Sequence, residues 1–138
     1  MRRFISLLLC VLLFGASTTA CDSVGPKGAY YGLATAAEMG DRDGFLRGFT
    51  EKSEKLVQAQ ISISEAYGRA YGLQNDDPIK QLVFSNVDAV EINDDKAILS
   101  VSRGAKKRKI LMVNDEARGW VIDVAKLADF WEEERKKR

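Results

Sequence analysis

The chain has 138 residues, 46% of them hydrophobic and 30% charged, with 21 Lys and Arg against 20 Asp and Glu, for a net charge of +1. This length suits one compact domain, and the balanced charge does not favour nucleic acid. Histidine is absent, which excludes Ser-His and Cys-His nucleophile pairs and imidazole metal ligands. Two cysteines are too few for a thiolate zinc site.

Residues 1–20 have the organisation of a secretory signal peptide. Arg2 and Arg3 give a positive start, residues 4–14 form an apolar run, and small residues follow up to Ala20. The apolar run is much shorter than the ~20 residues that a membrane-spanning helix needs. We therefore predict a cleaved signal peptide and not a permanent membrane span.

The residues around the predicted cleavage site resemble a signal for lipid attachment. Thr18-Thr19-Ala20-Cys21 resembles the lipobox of bacterial lipoproteins, with Thr18 where leucine is usual. The resemblance implies cleavage before Cys21, lipid attachment to it, and a protein of the cell envelope that faces the periplasm. The alternative is an ordinary secreted protein that is cut after Ala20. Asp22 resembles an inner-membrane retention signal of enteric bacteria, and inner versus outer membrane stays open.

Residues 21–28 are predicted to form the lipidated cysteine and a short tether, and residues 29–138 a single domain. The seven residues Asp22 to Gly28 span at most about 24 Å when fully extended. The domain is therefore expected to lie against its own membrane.

The first part of the domain is predicted to be helical. Apolar residues at helical spacing predict a helix from Ala29 to Met39, which Gly40 ends. Asp41 is available to cap a second, short helix, on which Phe45, Leu46 and Phe49 share one face.

A longer amphipathic helix follows and ends near Gly72. Residues 61–64 alternate as in a strand, which leaves a break in this helix as the alternative. The residues that define its apolar face are Leu56, Ala59, Ile63, Ala66 or Tyr67, and Ala70.

Four strand-like runs come next, at residues 82–92, 97–102, 108–113 and 120–124. Their short connections predict antiparallel neighbours, and a charged helix over residues 125–138 closes the chain. The predicted class is α+β, with N-terminal helices packed on one face of a curved antiparallel four-stranded sheet.

This layout resembles the NTF2-like superfamily, and within it the small lipoproteins that carry domains of unknown function. The resemblance implies a cone with a possible ligand pocket, although this chain has fewer strands than larger members. The residues that carry it are Tyr30-Tyr31, Ala34 to Ala37, Gly40 to Phe45, Val87, Val90 to Ile92, and Gly119 to Asp123.

Relatives such as the ketosteroid isomerases use a buried Asp base with Tyr donors, which suggests a carboxylate and hydroxyls in the cone. Strand parity points Asp123 to solvent, so packing is favoured over catalysis, and no catalytic residue is predicted. The possible ligand-pocket residues are Tyr30, Tyr67, Tyr71 and Trp120.

Two other groups of residues are candidates for binding. Lys106, Lys107, Arg108 and Lys109 lie at a predicted hairpin, where they are either a solvated tip or a contact to anionic headgroups. Phe130 and Trp131 are expected to divide, one packing on the core and the other exposed to a partner. The acidic pairs at residues 76–77 and 94–95 lack the spacing of a calcium loop and are interpreted as turns.

These patterns predict an envelope lipoprotein, held to a membrane through Cys21, that is not an enzyme. Its expected work is to bind an envelope protein, as a partner or as an accessory subunit of a complex. The alternative is a domain that uses the cone for a small ligand or a minor reaction. No cofactor, metal or nucleic acid is expected.

Overall fold

The computed structural model describes residues 24–72 and 76–138, so the predicted signal peptide and Cys21 lie outside the described residues. Within them the chain is α+β, with helices around an open antiparallel sheet. The helices are Pro26–Glu38 (α1), Arg42–Leu46 (α2), Glu51–Tyr71 (α3), Pro78–Leu82 (α4) and Val124–Lys136 (α5). The strands are Asn86–Asn93 (β1), Lys96–Arg103 (β2), Lys106–Asp115 (β3) and Gly119–Val121 (β4).

The first two helices confirm the predicted boundary signals. α1 begins at Pro26, earlier than predicted, because the fixed φ of proline suits a first helical turn. It ends before Gly40, whose φ of +73° is a left-handed conformation that glycine adopts without strain. The Asp41 carboxylate accepts a hydrogen bond from the Gly44 amide at 2.9 Å and caps α2.

α3 is a single helix that continues through residues 61–64, so the predicted helix is confirmed and the break is not found. The Thr50 side chain caps its start by accepting a hydrogen bond from the Ser53 amide at 3.3 Å. Gly72, with φ +70°, ends it at the predicted residue.

The apolar face that periodicity predicts for α3 is not the face that packs on the core. Val57 and Ile61 are buried, whereas Leu56 and Ile63 are exposed. Both faces of the helix carry apolar residues, so periodicity alone does not select one of them. The buried face also contains Ser53, whose hydroxyl accepts a hydrogen bond from the Val124 amide at 2.9 Å, at the start of α5.

A short helix that the sequence analysis did not predict precedes the sheet. The Asp77 side chain accepts a hydrogen bond from the Ile79 amide at 2.9 Å, and Pro78 is the first residue of α4. An aspartate cap followed by proline is a typical helix start. The first strand therefore begins at Asn86 and not at residue 82.

The sheet is a meander of order β1-β2-β3-β4 with every pair antiparallel, as predicted. β4 is short and pairs only with residues 113–115 of β3. α5 lies beside the part of β3 that β4 does not reach, where the Trp131 indole donates a hydrogen bond to the Lys109 carbonyl at 2.6 Å.

The sheet packs on both faces, which corrects the prediction of a single packed face. Leu99, Ile110 and Met112 share one face and are fully buried. They belong to one apolar cluster with the N-terminal helices, whose largest fully buried members are Tyr30, Phe45 and Phe49. On the opposite face, Leu111 and Ile98 line a shallow groove together with Phe130 of α5.

α5 closes the described chain. The Asp123 side chain caps it by accepting a hydrogen bond from the Lys126 amide at 3.1 Å. Ion pairs three and four residues apart follow, joining Glu132 to Arg135 and Lys136, as the charge pattern predicts. None of the helices in the described ranges has the length and apolar character needed to cross a membrane.

Candidate functional site

A groove of about 780 Å³ lies where the β2–β3 hairpin meets α4 and α5. Register places Arg103 opposite Lys106, and Arg108 follows on the same side of the hairpin. We call this feature the basic groove. The residues that line it are Lys80, Gln81, Val83, Phe84, Arg103, Lys106, Lys107, Arg108 and Trp131.

The basic groove concentrates positive charge. Five of its lining residues are Lys or Arg, and none of the described lining residues is Asp or Glu. Within the described part of the chain, Arg103, Lys106 and Lys107 form no ion pair. Such a surface attracts phosphate or carboxylate groups.

Arg108 and Trp131 form the fixed wall of the basic groove. The Arg108 guanidinium lies 4.5 Å from the centre of the Trp131 ring, which is a cation–π contact. Its Nη1 also donates a hydrogen bond to the Gln81 carbonyl at 3.2 Å. The Arg108 side chain is therefore held in place by one contact with α5 and one with α4.

The predicted run of four basic residues divides between two sides of the hairpin. Lys106, Lys107 and Arg108 line the basic groove. By register, Lys107 and Lys109 alternate onto the other face, across from Ser102 and Ser100. Lys107 still borders the basic groove, whereas the Lys109 Nζ lies 3.2 Å from the Glu134 carboxylate. Both partners of this ion pair are partly solvated, so it adds little to stability.

Two further cations of the basic groove were missed by the sequence analysis. Lys80 comes from α4 and Arg103 from the end of β2, and each is an isolated basic residue in the sequence. Lys80 lies on α4, the short helix that was not predicted. Recognising the α4 cap at Asp77 would have placed it on a structured surface.

Tyr30 lies in the core and not on the wall of a cavity. It is fully buried, its hydroxyl donates to the Leu82 carbonyl at 2.6 Å, and the Phe84 amide donates to that hydroxyl at 2.9 Å. Burial raises the pKa of Tyr30 to about 12, and the hydrogen bond from Phe84 opposes this shift. Both hydrogen-bonding functions are occupied, so the residue fastens α1 to the segment after α4.

The other predicted pocket and partner residues lie in separate places. Tyr67 is 54% exposed on α3, and Trp120 is half-buried on β4. Tyr71 ends α3, and its side chain is outside the described atoms. Phe130 and Trp131 are both half-buried, so the expected division into one core and one exposed residue is not found.

An exposed apolar stripe follows the outer face of α3. Leu56, Ile63 and Tyr67 are 57%, 45% and 54% exposed, and Ala59, Ala66 and Ala70 lie exposed between them. Leu56, Ala59, Ile63, Ala66 and Ala70 follow one another at intervals of three and four residues. We call these five residues with Tyr67 the α3 stripe.

The start of α1 lies at the end of the sheet that carries the basic groove. Tyr30 bonds to Phe84, which lines that groove, and the Tyr31 hydroxyl accepts a hydrogen bond from the Val87 amide at 3.0 Å. Val87 pairs with Val101, two residues before Arg103. Pro26, one helical turn before Tyr30, therefore lies at this end.

The described residues include no cluster of three or more Asp, Glu, Cys or His side chains that could hold a metal ion. Residues 76–77 precede and cap α4, and residues 94–95 form the β1–β2 turn. The arrangement suits binding of an anion or an apolar surface.

Compared with protein-family models, curated proteins and solved structures, the chain matches none of them.

Proposed function

We propose that the chain is a lipoprotein of the bacterial cell envelope, attached to a membrane through Cys21, and that its domain binds an envelope protein without catalysis. The charged, apolar and small-residue order of residues 1–20, followed by Cys21, supports the anchor. Only residues 22–25 separate Cys21 from α1, so the domain would lie against the membrane.

The α3 stripe is the observation that carries the binding proposal. Intervals of three and four residues are typical of a helix that packs along another helix. The stripe alternates larger Leu56 and Ile63 with alanines, which let a second helix approach closely. We therefore propose that the partner contributes an amphipathic helix. Exposed apolar surface of this kind marks interaction sites.

We further infer that the fold is an NTF2-like cone, which the order of helices followed by a meander supports. The sheet face that would line the cone is filled by packed side chains, with Tyr30, Phe45 and Met112 fully buried. This packing favours binding at an outer surface over a ligand within the cone.

Site-specific crosslinking in cells tests the binding proposal. A photoreactive residue replaces Leu56 or Ile63 in a C-terminally tagged full chain, and crosslinked products are purified after membrane solubilisation. We expect both positions to capture the same envelope protein, because both lie on the α3 stripe. The matched control replaces Ile92, which is 60% exposed on β1, an edge strand of the sheet.

A second variant guards against a chance crosslink. Leu56→Ser with Ile63→Ser is expected to abolish capture of that protein through the remaining exposed positions of α3, while Ile92→Ser retains it. Equal capture from residue 92, or capture that survives the double substitution, would contradict the proposed surface.

A further inference from the structure

We propose that the basic groove binds the phosphate headgroup of an anionic lipid in the membrane to which Cys21 attaches the chain. This inference rests on the proposed anchor, but none of the residues that line the basic groove belongs to the α3 stripe. Five cations surround about 780 Å³ of open space, and none of the described lining residues supplies a neutralising carboxylate. Phosphate oxygens accept charge-assisted hydrogen bonds from Lys and Arg.

Trp131 gives the basic groove a second, apolar border. The same residue lines a neighbouring hollow of about 460 Å³, whose walls include Pro78, Leu82 and Val124. Its indole therefore lies between a cationic groove and an apolar hollow. Tryptophan is enriched at membrane interfaces because one side of the ring contacts apolar groups while the other contacts headgroups.

The position of the anchor argues for a lipid over a soluble phosphate. α1 starts at the same end of the sheet as the basic groove, through the contacts of Tyr30 and Tyr31 described above. Cys21 is at most about 18 Å from Pro26 along an extended chain. Such a short tether keeps headgroups at a high effective concentration near the basic groove, and Lys27 on the first turn of α1 adds a cation there.

Vesicle binding of the unlipidated chain tests the proposal. The protein starts at residue 21 with Cys21→Ser and keeps every described helix and strand, so binding measures the domain alone. The test variant combines Arg103→Gln, Lys106→Gln and Lys107→Gln. The matched control combines Lys52→Gln, Lys55→Gln and Lys126→Gln, which removes the same charge from exposed residues of α3 and α5.

We expect the protein to bind vesicles of phosphatidylcholine with phosphatidylglycerol and not vesicles of phosphatidylcholine alone. Each cation near an anionic surface contributes about a fivefold change, so the test variant should lose on the order of 100-fold in affinity. The control should stay close to the parent, because none of its three lysines lines the basic groove. All three proteins should keep the same circular dichroism, since the substituted side chains are exposed.

Three results would overturn the proposal. The first is the absence of binding to anionic vesicles, and the second is an equal loss in the test and control variants. The third is saturable binding of inorganic phosphate that displaces the vesicles, which would assign the basic groove to a soluble ligand. Because this protein carries no lipid, each result is independent of whether Cys21 is acylated and of what the α3 stripe captures.

Discussion

Tyr30 shows what a single hydroxyl does in this core. It joins α1 to the Leu82 carbonyl and the Phe84 amide across 52 and 54 residues of chain. Tyr30→Phe removes the hydroxyl and leaves both buried backbone groups without that partner. We expect a loss of about 1–3 kcal/mol in the free energy of unfolding, measured by urea denaturation at pH 7.

The same side chain makes stability depend on pH. The pKa of Tyr30 is about 12 in the folded chain against about 10 when unfolded. The folded state therefore keeps its proton longer, and this stabilisation is complete below pH 10 and is lost as pH rises toward 12. The gap between the parent and Tyr30→Phe should shrink over that window. A gap of constant size from pH 9 to 12 would contradict a protonated, buried Tyr30.

The contacts of individual side chains were the least predictable feature of this chain. Helical periodicity placed Tyr30 on the apolar side of α1, but nothing local shows that its hydroxyl meets Leu82 and Phe84. Trp131 is similar: its contacts to Arg108 and to the Lys109 carbonyl arise because β4 leaves part of β3 without a strand. Such contacts between residues far apart in the chain depend on the tertiary structure and cannot be predicted from local sequence.

The helices and strands were largely predictable, because local capping and terminating residues set their boundaries. Gly40 and Gly72 ended helices where expected, and Asp41 capped α2. α4 was missed although its Asp77 cap has the same chemistry. The inner face of α3 could not be predicted from periodicity, because both of its faces carry apolar residues and the contacts of the inner face, such as that between Ser53 and Val124, are long-range.

Two isoleucines of α3 test this orientation in one helix. Ile61 is 1% exposed and Ile63 is 45% exposed. Ile61→Ala should cost about 2–5 kcal/mol through lost burial and a cavity. Ile63→Ala should stay within about 0.5 kcal/mol, because it is a surface substitution. Thermal and urea unfolding of the two variants measure both values, and a larger loss for Ile63→Ala would reverse the assigned faces.

For the whole molecule, the α+β class and the meander followed from short connections between successive strands. The packing of α5 against the second sheet face did not follow, since it depends on the shortness of β4. The basic groove was visible in the sequence only as the run from Lys106 to Lys109. Folding removes Lys109 from it and adds Lys80 and Arg103 from distant segments.

These features give the proposed protein two binding surfaces with different chemistry. The basic groove lies at the end where α1 begins, which is the end that a short tether would hold to the membrane. The α3 stripe presents an apolar helix face. Both proposed surfaces act at a membrane only if the chain is attached there through Cys21.

Labelling of cells with a palmitate analogue, followed by mass measurement of the purified chain, tests lipid attachment at Cys21. We predict a labelled protein that begins at Cys21, no label in Cys21→Ser, and unchanged label in the control Cys10→Ser, because Cys10 leaves with the signal peptide. Label that persists in Cys21→Ser, or an unlabelled parent chain cut after Ala20, would contradict lipid attachment at Cys21.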